Sequence, residues 1–398
     1  MDIIIHPQKL QGTIHAIPSK SQAHRLLICA AFSDRPTEMI CPETNQDIEA
    51  TASCLQSLGA DILRTDSGYI ITPIKATPKT ATLNCNESGS TLRFMLPLVG
   101  ALGVNATFVM EGRLPLRPLS PLWEEMERMG CSLSRPTENT IQCQGKLQPG
   151  NYSIDGSVSS QFITGLMFAM ALIPGECHLT ITGKVESKPY IDMTRYALSM
   201  FGIDTNDCNI SGNIPLRSPC KVQVEGDWSN ASFFLAAQKL GNPLEITGLD
   251  QNSAQGDKAV ANILTEMDHM VTIDAADIPD AVPILAVTAG ALHGATFKNI
   301  ARLRLKESDR IASVATMLRN LGAAVDVGEN EMTVYPAAYH SCTIDAVGDH
   351  RIAMAAAIAA TTAQGDITIL GGECVAKSYP GFWDEYKKLG GNYELYIR

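Results

Sequence analysis

Apolar residues in this chain fall into helix-length blocks that end on Leu, Met or Phe followed by Gly, after which the pattern reads as a strand, a polar turn and a second strand. Such junctions stand at Leu58-Gly59-Ala60, Met129-Gly130-Cys131, Phe201-Gly202-Ile203, Leu321-Gly322-Ala323 and Leu389-Gly390-Gly391, with a degenerate sixth near Glu266-Met267-Asp268. Gly59, Gly130 and Gly202 are almost evenly spaced, at a period too long for a solenoid and long enough for a unit of two helices and several strands. The glycine suits the left-handed position just past a helix end.

Each unit also opens a helix on a small polar residue: Ser19 before Lys20, Ser88 before Gly89, Ser159 before Ser160, Asp227 before Trp228, Ser308 before Asp309 and Asp349 before His350. Helix amino ends carry unpaired N–H groups and partial positive charge, so a fold that aims several at one place builds an anion site from its backbone. The stretches Phe162 to Ile173 and Ile352 to Ala360 fall short of the roughly 20 residues a bilayer crossing takes and read as buried helices.

A single core seldom grows past roughly 250–300 residues, so a chain of 398 predicts two domains. Three units over 13–224 form one and three over 225–398 the other, in an α/β (α+β) fold; the first dozen residues could belong to either half, and the domain expected is 1–12 plus 225–398. No Pro/Gly/Ser linker separates them, so the crossing near Val224-Glu225-Gly226 is short and suits hinge closure on a ligand.

Composition narrows the function. A net charge of −11 argues against nucleic acid, whose binding rests on basic surface. Anionic ligands would then need positive charge concentrated locally, which makes the basic clusters the informative feature. Eleven cysteines occur singly, with no CxxC pair, as expected of a reduced cytosol; no metal site and no catalytic thiol is expected. The start, Met1-Asp2-Ile3-Ile4-Ile5-His6-Pro7, has no leader pattern, so a cytoplasmic location is expected.

The clusters are these. In Pro18-Ser19-Lys20-Ser21-Gln22-Ala23-His24-Arg25, Lys20 and His24 lie one helical turn apart, as do Ser21 and Arg25. Asn86-Glu87-Ser88-Gly89-Ser90-Thr91-Leu92-Arg93 places a glycine at a helix start, which permits close backbone approach to a ligand or only serves a turn. Glu111-Gly112-Arg113-Leu114-Pro115-Leu116-Arg117-Pro118 is a Pro-stiffened loop with two arginines, whose planar forks suit carboxylate and phosphate. Asp155-Gly156-Ser157-Val158-Ser159-Ser160-Gln161-Phe162 and Ser187-Lys188-Pro189-Tyr190 group hydroxyl, amide and ammonium donors.

The second half adds Asp277-Ile278-Pro279-Asp280-Ala281 and Arg302-Leu303-Arg304-Leu305-Lys306-Glu307-Ser308-Asp309-Arg310, then Gly348-Asp349-His350-Arg351 and Val375-Ala376-Lys377-Ser378-Tyr379-Pro380. Glu307 reads either as a structural ion-pair partner or as a proton carrier. Neighbouring cations oppose its service as an acid unless bound anions cancel their field, so ligand-dependent acidity is expected. No GxxxxGKS/T loop, no GxGxxG after a strand and no HExxH occurs.

In their order along the chain these segments resemble the enolpyruvyl transferases, and within them the EPSP synthase family. The likeness runs from Pro18-Ser19-Lys20-Ser21 to the Lys377 segment. It implies a two-domain inside-out α/β barrel, each domain built of three βαβαββ repeats with buried helices and solvent-facing sheets, and an active site in the interdomain cleft. It implies transfer of the enolpyruvyl (carboxyvinyl) group of phosphoenolpyruvate to the 5-hydroxyl of shikimate 3-phosphate, through a tetrahedral intermediate, on the route to chorismate and the aromatic amino acids. The two small-molecule substrates are the implied partners; no cofactor, metal, nucleic acid or membrane is implied, and a monomer is expected.

By the same resemblance Ser21, Arg25, Ser159, Ser160, Ser187 and Lys306 hold shikimate 3-phosphate, while Lys20 and Gln161 touch both substrates. Gly89, Arg113, Arg310, Arg351 and Lys377 bind phosphoenolpyruvate. Asp280 is the implied base, which also contacts shikimate 3-phosphate, and Glu307 the implied acid, with Lys20 assisting. Glu87 and Arg302 stand where the family often carries Asn, and neither contact is carried over. Glyphosate, the family's phosphoenolpyruvate-competitive inhibitor, is expected to bind in the room that Gly89 leaves. UDP-N-acetylglucosamine 1-carboxyvinyltransferase shares fold and donor, but its typical loop cysteine has no counterpart between Val109 and Leu119. A non-catalytic phospho-ligand-binding protein on the same scaffold is the alternative from another class.

Overall fold

The computed structural model describes residues 1–205, 209–212 and 214–396, and the chain divides into two units, Pro18–Val224 and Met1–Ile17 with Glu225–Arg398. The first two strands, β1 (Asp2–His6) and β2 (Gly12–His15), belong to the second unit.

The first unit holds α1 (Lys20–Ala31), β3 (Thr37–Ile40), α2 (Gln46–Ser57), β4 (Asp61–Thr65), β5 (Gly68–Thr72), β6 (Thr80–Asn84), α3 (Gly89–Leu102), β7 (Asn105–Val109), α4 (Leu122–Arg128), β8 (Cys131–Thr137), β9 (Thr140–Gly145), β10 (Gly150–Asp155), α5 (Ser160–Met170), β11 (Glu176–Thr182), α6 (Lys188–Met200), β12 (Asn209–Ser211) and β13 (Lys221–Gln223). They form three sheets, ordered β13-β3-β5-β4, β6-β7-β9-β8 and β10-β11-β12.

The second unit continues with α7 (Trp228–Lys239), β14 (Leu244–Thr247), α8 (Ala259–Glu266), β15 (Val271–Asp274), α9 (Val282–Ala291), β16 (Ala295–Lys298), α10 (Arg310–Leu321), β17 (Val325–Val327), β18 (Glu331–Val334), β19 (His340–Asp345), α11 (His350–Ala360), β20 (Gln364–Leu370), α12 (Phe382–Lys388) and β21 (Asn392–Tyr396). Its sheets run β14-β2, β15-β16-β18-β17 and β19-β20-β1-β21.

One wiring recurs. In β6-α3-β7-α4-β8-β9 the first two strands pair in parallel and the next two antiparallel, and β15-α9-β16-α10-β17-β18 repeats the same order. Three sheets borrow a strand from elsewhere in the chain, β13 beside β3, β1 beside β20 and β2 beside β14. The same borrowing corrects the domain boundary: residues 13–15, expected with the first half, lie in β2 and pair in parallel with β14 from Gly12↔Leu244 to Thr247↔His15.

Within each unit one set of helices is inside, α1, α3 and α5 in the first and α7, α9 and α11 in the second. Helices apolar all round have no face to give to water, and every residue of α11 and all but Gln161 of α5 are buried. Strands alternate instead: Leu83, Phe108 and Ile141 turn inward from the second sheet while Thr82 and Asn84 stay exposed. Gly165 lets α5 approach α3, since a β-carbon there would lie 2.2 Å from the Arg93 carbonyl oxygen. No helix among the described residues is long and apolar enough to cross a membrane. Ten cysteines carry free thiols, and Cys208 lies outside the described residues.

Five of the six expected helix caps fall where the pattern put them, and each accepts a backbone N–H. The exception is α10, capped by Asp309 through the Ala312 N–H at 3.1 Å rather than by Ser308. Ser308 turns its hydroxyl to Asp349 Oδ2 at 3.0 Å instead.

Candidate active site

In the first unit the helices with buried interiors present their amino ends. Lys20, the first residue of α1, pairs with Asp47 of α2 at 2.9 Å. Arg25 is buried one turn later. Its Nε donates to Thr194 Oγ1 at 2.9 Å, Nη1 to the Ser21 carbonyl at 2.6 Å and Nη2 to the Tyr190 carbonyl at 2.9 Å, which ties Ser21 to α6. Burial lowers the Arg25 pKa to about 10, against the opposing pull of Tyr190 and Cys29.

Ser159 caps α5 and accepts the Gln161 N–H at 3.3 Å, and Ser160 is buried behind it. The Gln161 side chain joins two helices: Oε1 accepts from Arg93 Nη1 at 2.7 Å and Nε2 donates to Ser90 Oγ at 3.0 Å. Ser187 is buried at the start of α6 with φ 54°, in the left-handed region. A non-glycine residue there costs about 1–3 kcal/mol, the kind of strain that collects at functional sites.

Gly89 lies beneath two guanidinium groups. A β-carbon on it would stand 2.7 Å from Arg117 Nη1 and 2.8 Å from Arg93 Nη1. The loop arginine brought to Gly89 is therefore Arg117, while Arg113, the residue carried over from the family motif, stands exposed at the start of the turn Leu114–Leu116. That turn buries Leu114 and Pro115 and so rotates the two arginines to different environments. Glu87 packs against the Gly112 backbone of the same loop.

The second unit gathers its charges around one guanidinium. Arg310, the first residue of α10 and 1% exposed, donates from Nη1 to Asp280 Oδ1 at 2.6 Å, from Nη2 to Glu307 Oε2 at 2.7 Å and from Nε to Asp349 Oδ2 at 2.8 Å. Arg351, in the first turn of α11, donates to the Asp280 carbonyl at 3.0 Å and to Asp280 Oδ2 at 3.3 Å, and Lys306 reaches Asp280 Oδ1 at 3.4 Å. Asp280 sits just before α9, so three helix amino ends converge where the carboxylates are. Lys377 is buried at the end of the turn Gly372–Lys377, which packs on α11. Arg302 donates to the Ala276 carbonyl at 2.8 Å.

The field of this cluster fixes protonation. Burial would raise the Asp280 pKa, but Arg351, Lys306 and Arg310 together hold it well below the usual carboxylate range. Burial brings Lys306 down to about 8, with Asp280 opposing. Asp257, buried nearby and absent from the sequence reading, is pushed up to about 6 by burial and by Asp280, with Arg351 and Ser229 opposing. A carboxylate kept ionised, a second carboxylate on the same guanidinium and a set of cations form an arrangement that can take a proton from one group, give one to another and hold an anion meanwhile. No group of His, Cys, Asp and Glu fit to hold a metal occurs among the described residues.

A family model described as EPSP synthase (3-phosphoshikimate 1-carboxyvinyltransferase) matches residues 4–386. The chain belongs to the EPSP synthase family. The 3-phosphoshikimate 1-carboxyvinyltransferases of Clostridium kluyveri and Clostridium beijerinckii are each 36% identical to it, over 98% of this chain and 97% and 98% of theirs. Among solved structures, EPSP synthase from Acinetobacter baumannii superposes with a TM-score of 0.81 at 21% identity, covering 99% of this chain and 100% of that one. The enolpyruvyl transferase NikO from Streptomyces tendae gives 0.78 at 18% identity, covering 99% and 98%. The mixed α/β fold expected from the resemblance is the EPSP synthase fold.

Besides Asp257, the structure ties three residues that were not singled out to the candidate residues of their own unit: in the first, Asp47 to Lys20, Arg93 to Gln161, and Arg117 to Gly89. Arg93 and Arg117 lie inside quoted motifs, and a helical spacing from Gly89 points to Arg93. Nothing local points to Asp47, whose partner Lys20 comes from another helix.

Proposed function

We propose that this chain transfers the carboxyvinyl group of phosphoenolpyruvate to the 5-hydroxyl of shikimate 3-phosphate, releasing phosphate. The observation that carries the reading is the sharing of Arg310 between Asp280 at 2.6 Å and Glu307 at 2.7 Å, which puts a base and an acid on one buried cation.

The steps follow from that sharing. Arg310, Arg351 and Lys377 hold phosphoenolpyruvate, and its negative charge cancels part of their field, which lets Glu307 take up a proton from solvent as the substrate binds. Glu307 then gives a proton to the methylene carbon, and the neighbouring carbon becomes electrophilic. The 5-hydroxyl oxygen bonds to that carbon and passes its proton to Asp280, which its cations keep ready as a base. In the elimination Glu307 recovers a proton from the new methyl group, the bond to the phosphate oxygen breaks, and phosphate leaves. Fixed cations stabilise that departing charge without reorganising. Ser21, Arg25, Ser159, Ser160, Gln161, Ser187, Lys20 and Lys306 hold the shikimate 3-phosphate; Gly89, with Arg117 in the place assigned to Arg113, contributes to the donor site.

The experiment is product analysis with phosphoenolpyruvate and equal amounts of shikimate 3-phosphate and UDP-N-acetylglucosamine. The expected product is 5-enolpyruvylshikimate 3-phosphate alone. Transfer to the nucleotide sugar, or tight binding of both substrates with no product, overturns the reading.

A further inference from the structure

The start of α3 is held from behind by buried side chains that take no part in the steps above. His24 of α1, Thr51 of α2, Thr91 of α3 and Ser88, the α3 cap, are all 0% exposed. His24 Nδ1 lies 2.7 Å from Thr51 Oγ1, Thr51 Oγ1 lies 2.7 Å from Thr91 Oγ1, and Thr91 Oγ1 donates to Ser88 Oγ at 2.8 Å. The row ties three helices to the residue that precedes Gly89.

Counting protons gives the row a direction, since a hydroxyl has one hydrogen to donate. Thr91 spends its hydrogen on Ser88, so Thr51 donates to Thr91, and His24 must donate from Nδ1 to Thr51. Burial leads to the same tautomer independently. His24 Nε2 is buried with no hydrogen-bond partner among the described residues, and a buried N–H without an acceptor is the rarer arrangement. The ring is neutral: burial pushes its pKa down to about 3, with Asp47 opposing and Lys20 and Arg25 reinforcing.

We propose that His24, as the Nδ1–H tautomer, is a positioning residue that sets the amino end of α3, and with it Gly89 and Arg93, through Thr51, Thr91 and Ser88. Its kinetic consequence rests on the carboxyvinyl-transfer reading; the row itself does not. Gly89 is assigned to phosphoenolpyruvate and Arg93 holds Gln161, which touches both substrates, so an α3 start that shifts acts chiefly on the phosphoenolpyruvate side, while Ser21 and the Arg25 contacts on α6, assigned to shikimate 3-phosphate, stay in place.

The test has a spectroscopic and a kinetic arm. Nitrogen-15 histidine spectra of the full chain are expected to show His24 as the Nδ1–H tautomer; an Nε2–H tautomer overturns the proposal. Thr51→Val keeps the shape and removes the middle hydroxyl, and the loss of one buried hydrogen bond predicts a KM for phosphoenolpyruvate about 5- to 10-fold higher, with the KM for shikimate 3-phosphate within about twofold. Thr51→Ser is expected to restore the wild-type KM. An unchanged KM for phosphoenolpyruvate in Thr51→Val, with the parent protein turning over, overturns the positioning role. If the parent protein shows no turnover, the carboxyvinyl reading fails, and exchange of the Thr91 amide decides the role: faster in Thr51→Val supports it, unchanged overturns it.

Discussion

Arg310 Nη1 and Asp280 Oδ1 lie 2.6 Å apart, and the remaining nitrogens of that guanidinium hold Glu307 and Asp349. One side chain thus supports Asp280, Glu307 and the cap of α11. Replacing it strands Asp349, which is 0% exposed. Breaking a buried ion pair from one side costs about 3–5 kcal/mol, so Arg310→Met is expected to lower stability by that order in urea unfolding. A loss under about 1 kcal/mol would mean that the carboxylates find other partners.

Lys306 gives a pH signature. Its pKa near 8 makes its charge titrate in an accessible range, and kcat/KM reports groups of the free enzyme. The kcat/KM for shikimate 3-phosphate is expected to fall as pH rises through about 8. Lys306→Arg, which stays charged, should move that limb to higher pH; an identical limb in both proteins would assign it to another group.

Asp257 gives a stability signature of opposite sign to that of an ordinary ion-paired carboxylate. Its folded pKa is about 6 against an ordinary 3.8, so between those values the native state binds more protons than the unfolded one. Stability from this group is therefore present below the ordinary value and lost as pH rises through about 6. Asp257→Asn is expected to be more stable than the parent at neutral pH, by an amount on the order of 2 kcal/mol, and to lose that advantage near pH 4. Denaturant midpoints at the two pH values check it.

Gly89 separates the two loop arginines. Because a β-carbon there would meet Arg117 and Arg93 at 2.7 and 2.8 Å, Gly89→Ala is expected to raise the inhibition constant for glyphosate and to raise the KM for phosphoenolpyruvate less. Arg117→Ala should raise that KM by on the order of 10-fold or more, the scale of one charge-assisted contact, whereas Arg113→Ala should change it by less than about twofold. Steady-state kinetics on the three variants decide it.

Much of this architecture is written locally in the chain. The Leu/Met/Phe-Gly junctions mark where α2, α4, α6, α10 and α12 end, with Gly59, Gly130, Gly202, Gly322 and Gly390 all at positive φ. The degenerate copy is also a helix end, that of α8, where Met267 takes the capping position. Helix starts were equally legible because a cap is a contact between a residue and its near neighbours. The α10 start slipped by one residue because Ser308 and Asp309 are both good caps, and the choice falls to Asp349, forty-odd positions away, which takes the serine hydroxyl. The placement of β2 beside β14, the turn that separates Arg113 from Arg117, and the pairing of Lys20 with Asp47 all depend on partners distant in sequence. Local pattern carries no information about them.

Asp280 and Glu307, held on one buried guanidinium, are proposed to carry the proton transfers of carboxyvinyl transfer. The most direct measurement is phosphate release from phosphoenolpyruvate and shikimate 3-phosphate by Asp280→Asn and Glu307→Gln, together with calorimetric binding of both substrates. Turnover reduced by about 100-fold or more, with binding retained, is the predicted result. Turnover close to that of the parent in either variant would contradict it.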